Sequence, residues 1–322
     1  MAEKKQSLLA LLEVLKKYSD ENHPLSIKNI QDHLLNEYDI NLDRRTLYTS
    51  MESLREFGYE ISDYESSKGY YLIDRQFEKA EVLLLCNAIH ASHFISSKQS
   101  DDLIKKLLNT QSKYDQKEFK DKVYMANPLK TNNKQLLLNI EVVSEAIRDN
   151  KQLSFNYLRY NNKKELVNRR EELYIVEPRY IVYSDSRPYL IVTSKNHEGF
   201  IHYRLDRMKD CVVLNEKSRI LPKTSDPYEY ARNKLFMYNG EIHTVTFKCK
   251  ESVMDHMIDI FGSELLVIPN NNDTFTIKVK TSEQGALYLA QQFMENITII
   301  EPEKLKKEFI KTLKEVQNNY KG

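Results

Sequence analysis

Tryptophan is absent from this 322-residue sequence, glycine occurs seven times and cysteine three times, and each scarcity closes off a class of chemistry. So few glycines leave little room for a Gly-rich phosphate loop, and neither a GxSxG elbow nor an HExxH pair occurs. Cys86, Cys211 and Cys249 are far apart and lack CxxC spacing, which argues against a disulfide framework and against a zinc site. They read as reduced, packed thiols. No apolar run approaches the roughly 20 residues that span a bilayer. Charged residues interrupt the opening MAEKKQSLLALLEVLKKYSDE, so it has no secretory core, and a cytoplasmic protein is expected. Glu171 and Glu172 alternate to opposite faces of a strand and cannot act as one acid/base pair. The expectation is a protein that is not an enzyme and needs no cofactor.

Charge is balanced, with 48 Lys/Arg against 47 Asp/Glu, but arginine is not evenly spread. Nine of the 14 arginines (148, 159, 169, 170, 179, 187, 204, 207 and 219) lie in the middle third, and none follows Arg232. A guanidinium fork pairs with phosphate or carboxylate, so this third reads as built for anions, the alternative being exposed strand arginines that only face solvent. His197 and His202 read as solvated or packed histidines.

Length implies two or three domains. Leucines at 8, 11, 12 and 15 form one helical stripe. Ser26 caps a second helix with Ile27, Ile30, Leu34 and Leu35 on its buried face, and Asp43 caps a third, DRRTLYTSMESLREFG, with Leu47, Met51 and Leu54 inward and Gly58 at its end. Two alternating strands around Ser66–Gly69 then predict a hairpin. The order is that of a winged helix-turn-helix over 1–74. Helical spacing continues through 75–130, with a boundary near Asn127-Pro128 and TNNK. Next come a helix over 135–148 and short strands at 153–159, 173–183, 187–194 and 199–206, which predict a small barrel or highly curved sheet within 131–220. The remainder, 235–322, reads βαββαβ plus one helix, a ferredoxin-like order.

The third helix carries the most specific chemistry, since a helix fits the major groove and reads base edges from its first turns. Arg44, Arg45, Thr46, Tyr48 and Thr49 stand there, and Lys68 in the wing would meet phosphates. Residues 1–74 nevertheless hold nine Lys/Arg against 14 Asp/Glu, so specific contacts must outweigh general attraction. In the middle third, alternation groups Phe155, Tyr157 and Arg159 on one face and His202, Arg204 and Asp206 on another. Arginines flanked by stacking tyrosines suit an anionic, nucleotide-like ligand, and Tyr157, Arg159, Tyr189, Arg204 and Arg207 are the candidates. Tyr189 reads equally as a core aromatic, and Arg207 as a partner of Asp206 or Asp210. On this reading Arg204→Ala removes ligand response and leaves the fold intact.

DRRTLYTSMESLREFGYEISDYESSKGYYL resembles the DNA-binding head of bacterial WYL-domain regulators. LSFNYLRY, VEPRYIVYSDSRPYLIVTS and FIHYRLDRM are similar to three segments of the WYL domain, and 242–301 is similar to the extension that follows it. The family's Trp-Tyr-Leu triplet reads Pro188-Tyr189-Leu190 here, so no role can rest on an indole. The resemblance implies an α+β multidomain chain: winged helix-turn-helix, helical connector, Sm-like or SH3-like barrel and ferredoxin-like extension. It also implies a ligand-responsive regulator that binds duplex DNA as a homodimer and senses a nucleotide or nucleic-acid effector. The competing expectation is a single-strand or RNA-binding module with the barrel as its working site.

Overall fold

Three leucine-striped helices open the computed structural model, which describes residues 2–122, 130–184, 186–219, 234–238 and 240–321. The chain divides into two units, 1–134 and 135–322. The boundary expected at Asn127-Pro128 lies outside the described residues.

In the first unit, α1 (Ala2–Tyr18), α2 (Ile27–Tyr38) and α3 (Arg44–Glu56) close on Leu11, Val14, Leu15, Ile30, Leu34, Leu47, Met51 and Leu54, all buried. Both expected caps form: Ser26 Oγ accepts from Asn29 N at 3.2 Å and Asp43 Oδ1 from Thr46 N at 2.9 Å. Gly58, at φ +106, ends α3 where a side chain would be strained. Leu35 was expected inside but is 48% exposed, because it stands one residue, about 100° of helix rotation, off the stripe set by Ile30 and Leu34. Replacing Ser26 with alanine is expected to cost about 0.5–2 kcal/mol of stability. An unchanged denaturation midpoint would show the cap to be idle.

The predicted hairpin is shorter than its sequence suggests. Its pairing is a single bridge, Ile61↔Leu72, and its tip is a helical turn, α4 (Tyr64–Ser67), rather than a tight β-turn. The serine hydroxyls cause this: Ser66 Oγ and Ser67 Oγ both donate to Asp63 O, at 3.0 and 2.8 Å. Lys68 leaves the turn in the left-handed region at φ 56. Tyr70 then bridges Leu25, and Gly69 is required there, since a Cβ would sit 2.9 Å from Pro24 Cβ. Three helices follow, α5 (Lys79–Ala91), α6 (Ser97–Leu108) and α7 (Lys113–Lys122), around Val82, Cys86, Leu108 and Phe119.

The second unit begins with α8 (Leu136–Arg148) against a six-stranded antiparallel sheet: β1 (Lys151–Tyr160), β2 (Leu166–Asn168), β3 (Tyr174–Ser184), β4 (Arg187–Ser194), β5 (His197–Arg204) and β6 (Met208–Lys217). The order is β2-β1-β3-β4-β5, with β6 also on β1. The strand expected to run to Asp206 stops at Arg204, because Leu205–Arg207 winds into a 3₁₀ turn. α8 holds that turn: buried Asn139 donates to Leu205 O at 3.3 Å and Met208 O at 2.8 Å. On β3, Glu177 is 2% exposed and accepts from Arg179 at 3.1 Å, Arg219 at 2.9 Å and Thr193 at 2.8 Å. Burial alone would push its carboxyl up, but the hydrogen bonds from Arg219 and Thr193 hold it below the usual carboxylate value.

The last segment runs β7 (Ile242–Lys250), α9 (Met254–Phe261), β8 (Val267–Pro269), β9 (Thr274–Ser282), α10 (Glu283–Gln292), β10 (Ile297–Glu301) and α11 (Glu303–Asn319). Strand order is β10-β7-β9-β8, antiparallel throughout, with Val245, Phe247, Ile277, Leu289 and Leu305 in the core. This is the βαββαβ order read from the sequence. No helix among the described residues is long and apolar enough to cross a membrane.

Candidate functional site

Two surfaces, one in each unit, gather the residues singled out by the sequence. On α3 the buried face of Leu47, Met51 and Leu54 turns the opposite face outward, and Arg44, Arg45, Tyr48 and Thr49 are exposed along it. Arg44 donates through Nε and Nη2 to Tyr48 Oη at 3.1 and 2.9 Å, with its guanidinium 5.5 Å from the ring centroid. Tyr48 meets Tyr70 edge-on at 6.2 Å, which ties the helix to the hairpin. The Arg44 guanidinium holds the Tyr48 phenol below its ordinary value, whereas burial pushes Tyr70 up to about 12.

Thr46 and Thr49 are not free donors. Thr46 Oγ1 donates to Asp43 Oδ2 at 2.7 Å and Thr49 Oγ1 to Arg45 O at 3.1 Å. Arg45 and Lys68 carry exposed side chains with no ion pair among the described residues.

In the sheet of the second unit, Tyr157 belongs to a cluster of four rings. Phe155 and Tyr157 on β1, Tyr174 on β3 and Tyr203 on β5 have centroids 5.1 to 6.3 Å apart. Arg170 caps the cluster, its guanidinium 3.7 Å from the Tyr174 centroid. This is stacking distance for a planar cation. Tyr157 Oη accepts from Arg204 N at 3.1 Å, and burial pushes the phenols of Tyr157 and Tyr203 up.

Tyr189 lies apart from that cluster. It is 8% exposed, packs with Val182, Ile191 and Met237, and meets His202 edge-on at 5.8 Å. Cross-strand register places Arg204 beside it, but the fork of Arg204 is occupied by Asp206 through two bonds of 3.0 and 2.6 Å. Asp206 is therefore not the partner of Arg207. Arg207 Nε is buried and has no hydrogen-bond partner, and no ion pair to Asp210 forms. Arg159 is exposed at the far end of β1.

The sequence reading overlooked Tyr174, Tyr203, Arg169 and Arg170. Tyr203 alternates with Ile201 and Leu205 and so reads as ordinary core; only the pairing of β1 with β3 and of β4 with β5 brings the rings together. The thiols are as expected, with Cys86 and Cys249 buried and burial pushing Cys211 and Cys249 up to about 12. Among the described residues no group of three His, Cys, Asp or Glu could hold a metal ion.

No curated protein matches the chain. Among solved structures, proteasome accessory factor B/C (PafBC) of Arthrobacter aurescens aligns with 98% of this chain at 17% identity and a TM-score of 0.28. The chain spans 46% of that protein's length. A CRISPR Cas-related protein aligns with 99% of this chain and 85% of its own, at 16% identity and a TM-score of 0.38. At these values the likenesses assign no residue a role. The sheet with its ring cluster is different: residues 139–213, from the anchoring Asn139 to Val213 of β6, match the WYL domain, and the chain carries one.

Proposed function

We propose that this protein is a ligand-responsive, sequence-specific DNA-binding regulator of transcription, working in the cytoplasm as a homodimer. In this reading α1–α3 and the hairpin are a winged helix-turn-helix, and the WYL domain senses an anionic, nucleotide-like or nucleic-acid-like effector. The observation that carries it is the polarity of α3, which is anchored by three buried side chains while presenting Arg44, Arg45 and Tyr48 outward from its first turns. Arg45, with no internal partner, is the residue to pair with guanine O6 and N7. The Arg44–Tyr48 pair and Lys68 would meet phosphates. Two heads on a two-fold site supply the specificity that one lacks. In the sensor, the effector's ring packs against Tyr203 at the edge of the ring cluster while Arg207 and Arg170 take its anion. No catalytic step is assigned.

The test is selection from a random duplex library with full-length protein and with Arg45→Ala. Wild type is expected to enrich an inverted repeat, and the variant to bind each half-site about tenfold to a hundredfold more weakly, as loss of one bidentate base contact implies. A second reading, a single-strand-binding module, draws on the four-ring cluster under Arg170. It predicts enrichment of single-stranded oligonucleotides, no enriched duplex and indifference to Arg45→Ala.

A further inference from the structure

A cleft in the first unit is used by neither surface. It encloses about 770 Å³ between the end of α1, the base of the hairpin and the α6–α7 turn, segments that are far apart in the chain. Such a volume lies in the usual range of roughly 300–1,000 Å³ for a small-molecule site, and a lone phosphate would fill little of it. Tyr59 stands half-buried on its wall beside the buried Leu72, and Gly58 between α3 and Tyr59 leaves open space where a side chain would stand.

The charge of the cleft departs from that of its surroundings. Residues 1–74 are acidic, yet the lining carries Lys16, Lys17, Arg75 and Lys113 against Glu13 and Asp74. Two of these cations are already paired, Lys16 with Glu13 at 3.3 Å and Lys17 with Glu37 at 2.7 Å. The other two are not. Arg75 donates only to main-chain oxygens, those of Lys16, Ser19 and Thr110, at 3.0, 2.5 and 3.3 Å, with Asp20 and Asp115 acting on it from beyond hydrogen-bond range. Lys113 has no ion pair among the described residues, and its ammonium and that of Lys17 stand 5.0 and 4.8 Å from the same Tyr18 ring. Two cations on one cleft wall with no direct ion pair of their own favour an anion there. Around them Gln76 and Asn109 offer amide donors and acceptors of the kind that read the edge of a heterocycle.

We infer that this cleft binds a planar organic anion of nucleoside-monophosphate size, its ring against Tyr59 and its charged group toward Lys113 and Arg75. The ligand would join the head's first helix and hairpin to the α6–α7 turn, and so bias the head directly. The inference is independent of the sensor reading, and its test must be resolved by position. Hydrogen exchange is measured on the full chain with millimolar AMP, with adenosine and with inorganic phosphate. AMP is expected to slow exchange at least threefold in peptides covering 55–59 and 109–116, with adenosine and phosphate each far weaker. Lys113→Glu, an exposed substitution, abolishes that protection and leaves any protection over 153–160 and 197–207 unchanged. No protection at 55–59 and 109–116, protection confined to the second unit, or protection that survives Lys113→Glu would each overturn the site without touching the sensor.

Discussion

A Glu177→Ala variant will melt roughly 6–20 °C below the parent protein, the shift that a loss of about 3–5 kcal/mol produces in a domain of this size. The carboxylate is 2% exposed and the guanidinium of Arg179 beside it 8%, so removing one strands the other in a medium that solvates charge poorly. Arg219 is half exposed and can turn to water, which limits the damage to one buried cation. Glu177→Gln keeps the volume and the bond from Thr193 and should recover part of the loss. Acid supplies a second signature. Glu177 titrates below its ordinary 4.5 in the fold, so its contribution is complete above that value and is lost as pH falls through the lower folded value. Stability of the parent should therefore drop on acidification below about 4.5, and the Glu177→Gln variant should show a shallower slope there. Equal slopes would mean that another carboxylate governs the acid limb.

What the sequence makes legible follows from the range of the forces involved. Caps act within three residues, so Ser26 and Asp43 mark α2 and α3 directly. The α4 turn is also local, but its serine hydroxyls compete with strand pairing for the same backbone groups, and alternation alone favours the strand. β2 and β6 escape the sequence for a different reason. Leu166–Asn168 is too short to show a period, and MKDCVVLNEK mixes charges into both faces because its pairing with β1 is broken by register shifts. For the site, composition locates the arginine-rich third but cannot say which arginine is spoken for. That depends on the 3₁₀ turn at Leu205–Arg207, which folds Asp206 back under Arg204 and leaves Arg207 Nε without a hydrogen-bond partner among the described residues.

This pairing reverses the expected outcome at Arg204. Alanine there is expected to damage the WYL domain itself, because Asp206 is 4% exposed and would lose the two charge-assisted bonds from the Arg204 fork, at a cost of about 3–5 kcal/mol. The selective loss belongs to Arg207. Its Nε has no internal partner, so Arg207→Ala orphans no acceptor of that atom and should leave stability within about 1 kcal/mol of wild type. It should also weaken binding of a fluorescent single-stranded oligonucleotide or of AMP to the second unit by about tenfold or more, the worth of a charge-assisted hydrogen bond to an anion. Arg204→Ala with an unchanged melting temperature would show that water reaches Asp206. Full binding by Arg207→Ala would move the anion to Arg170 and Arg169, at the rim of the four rings.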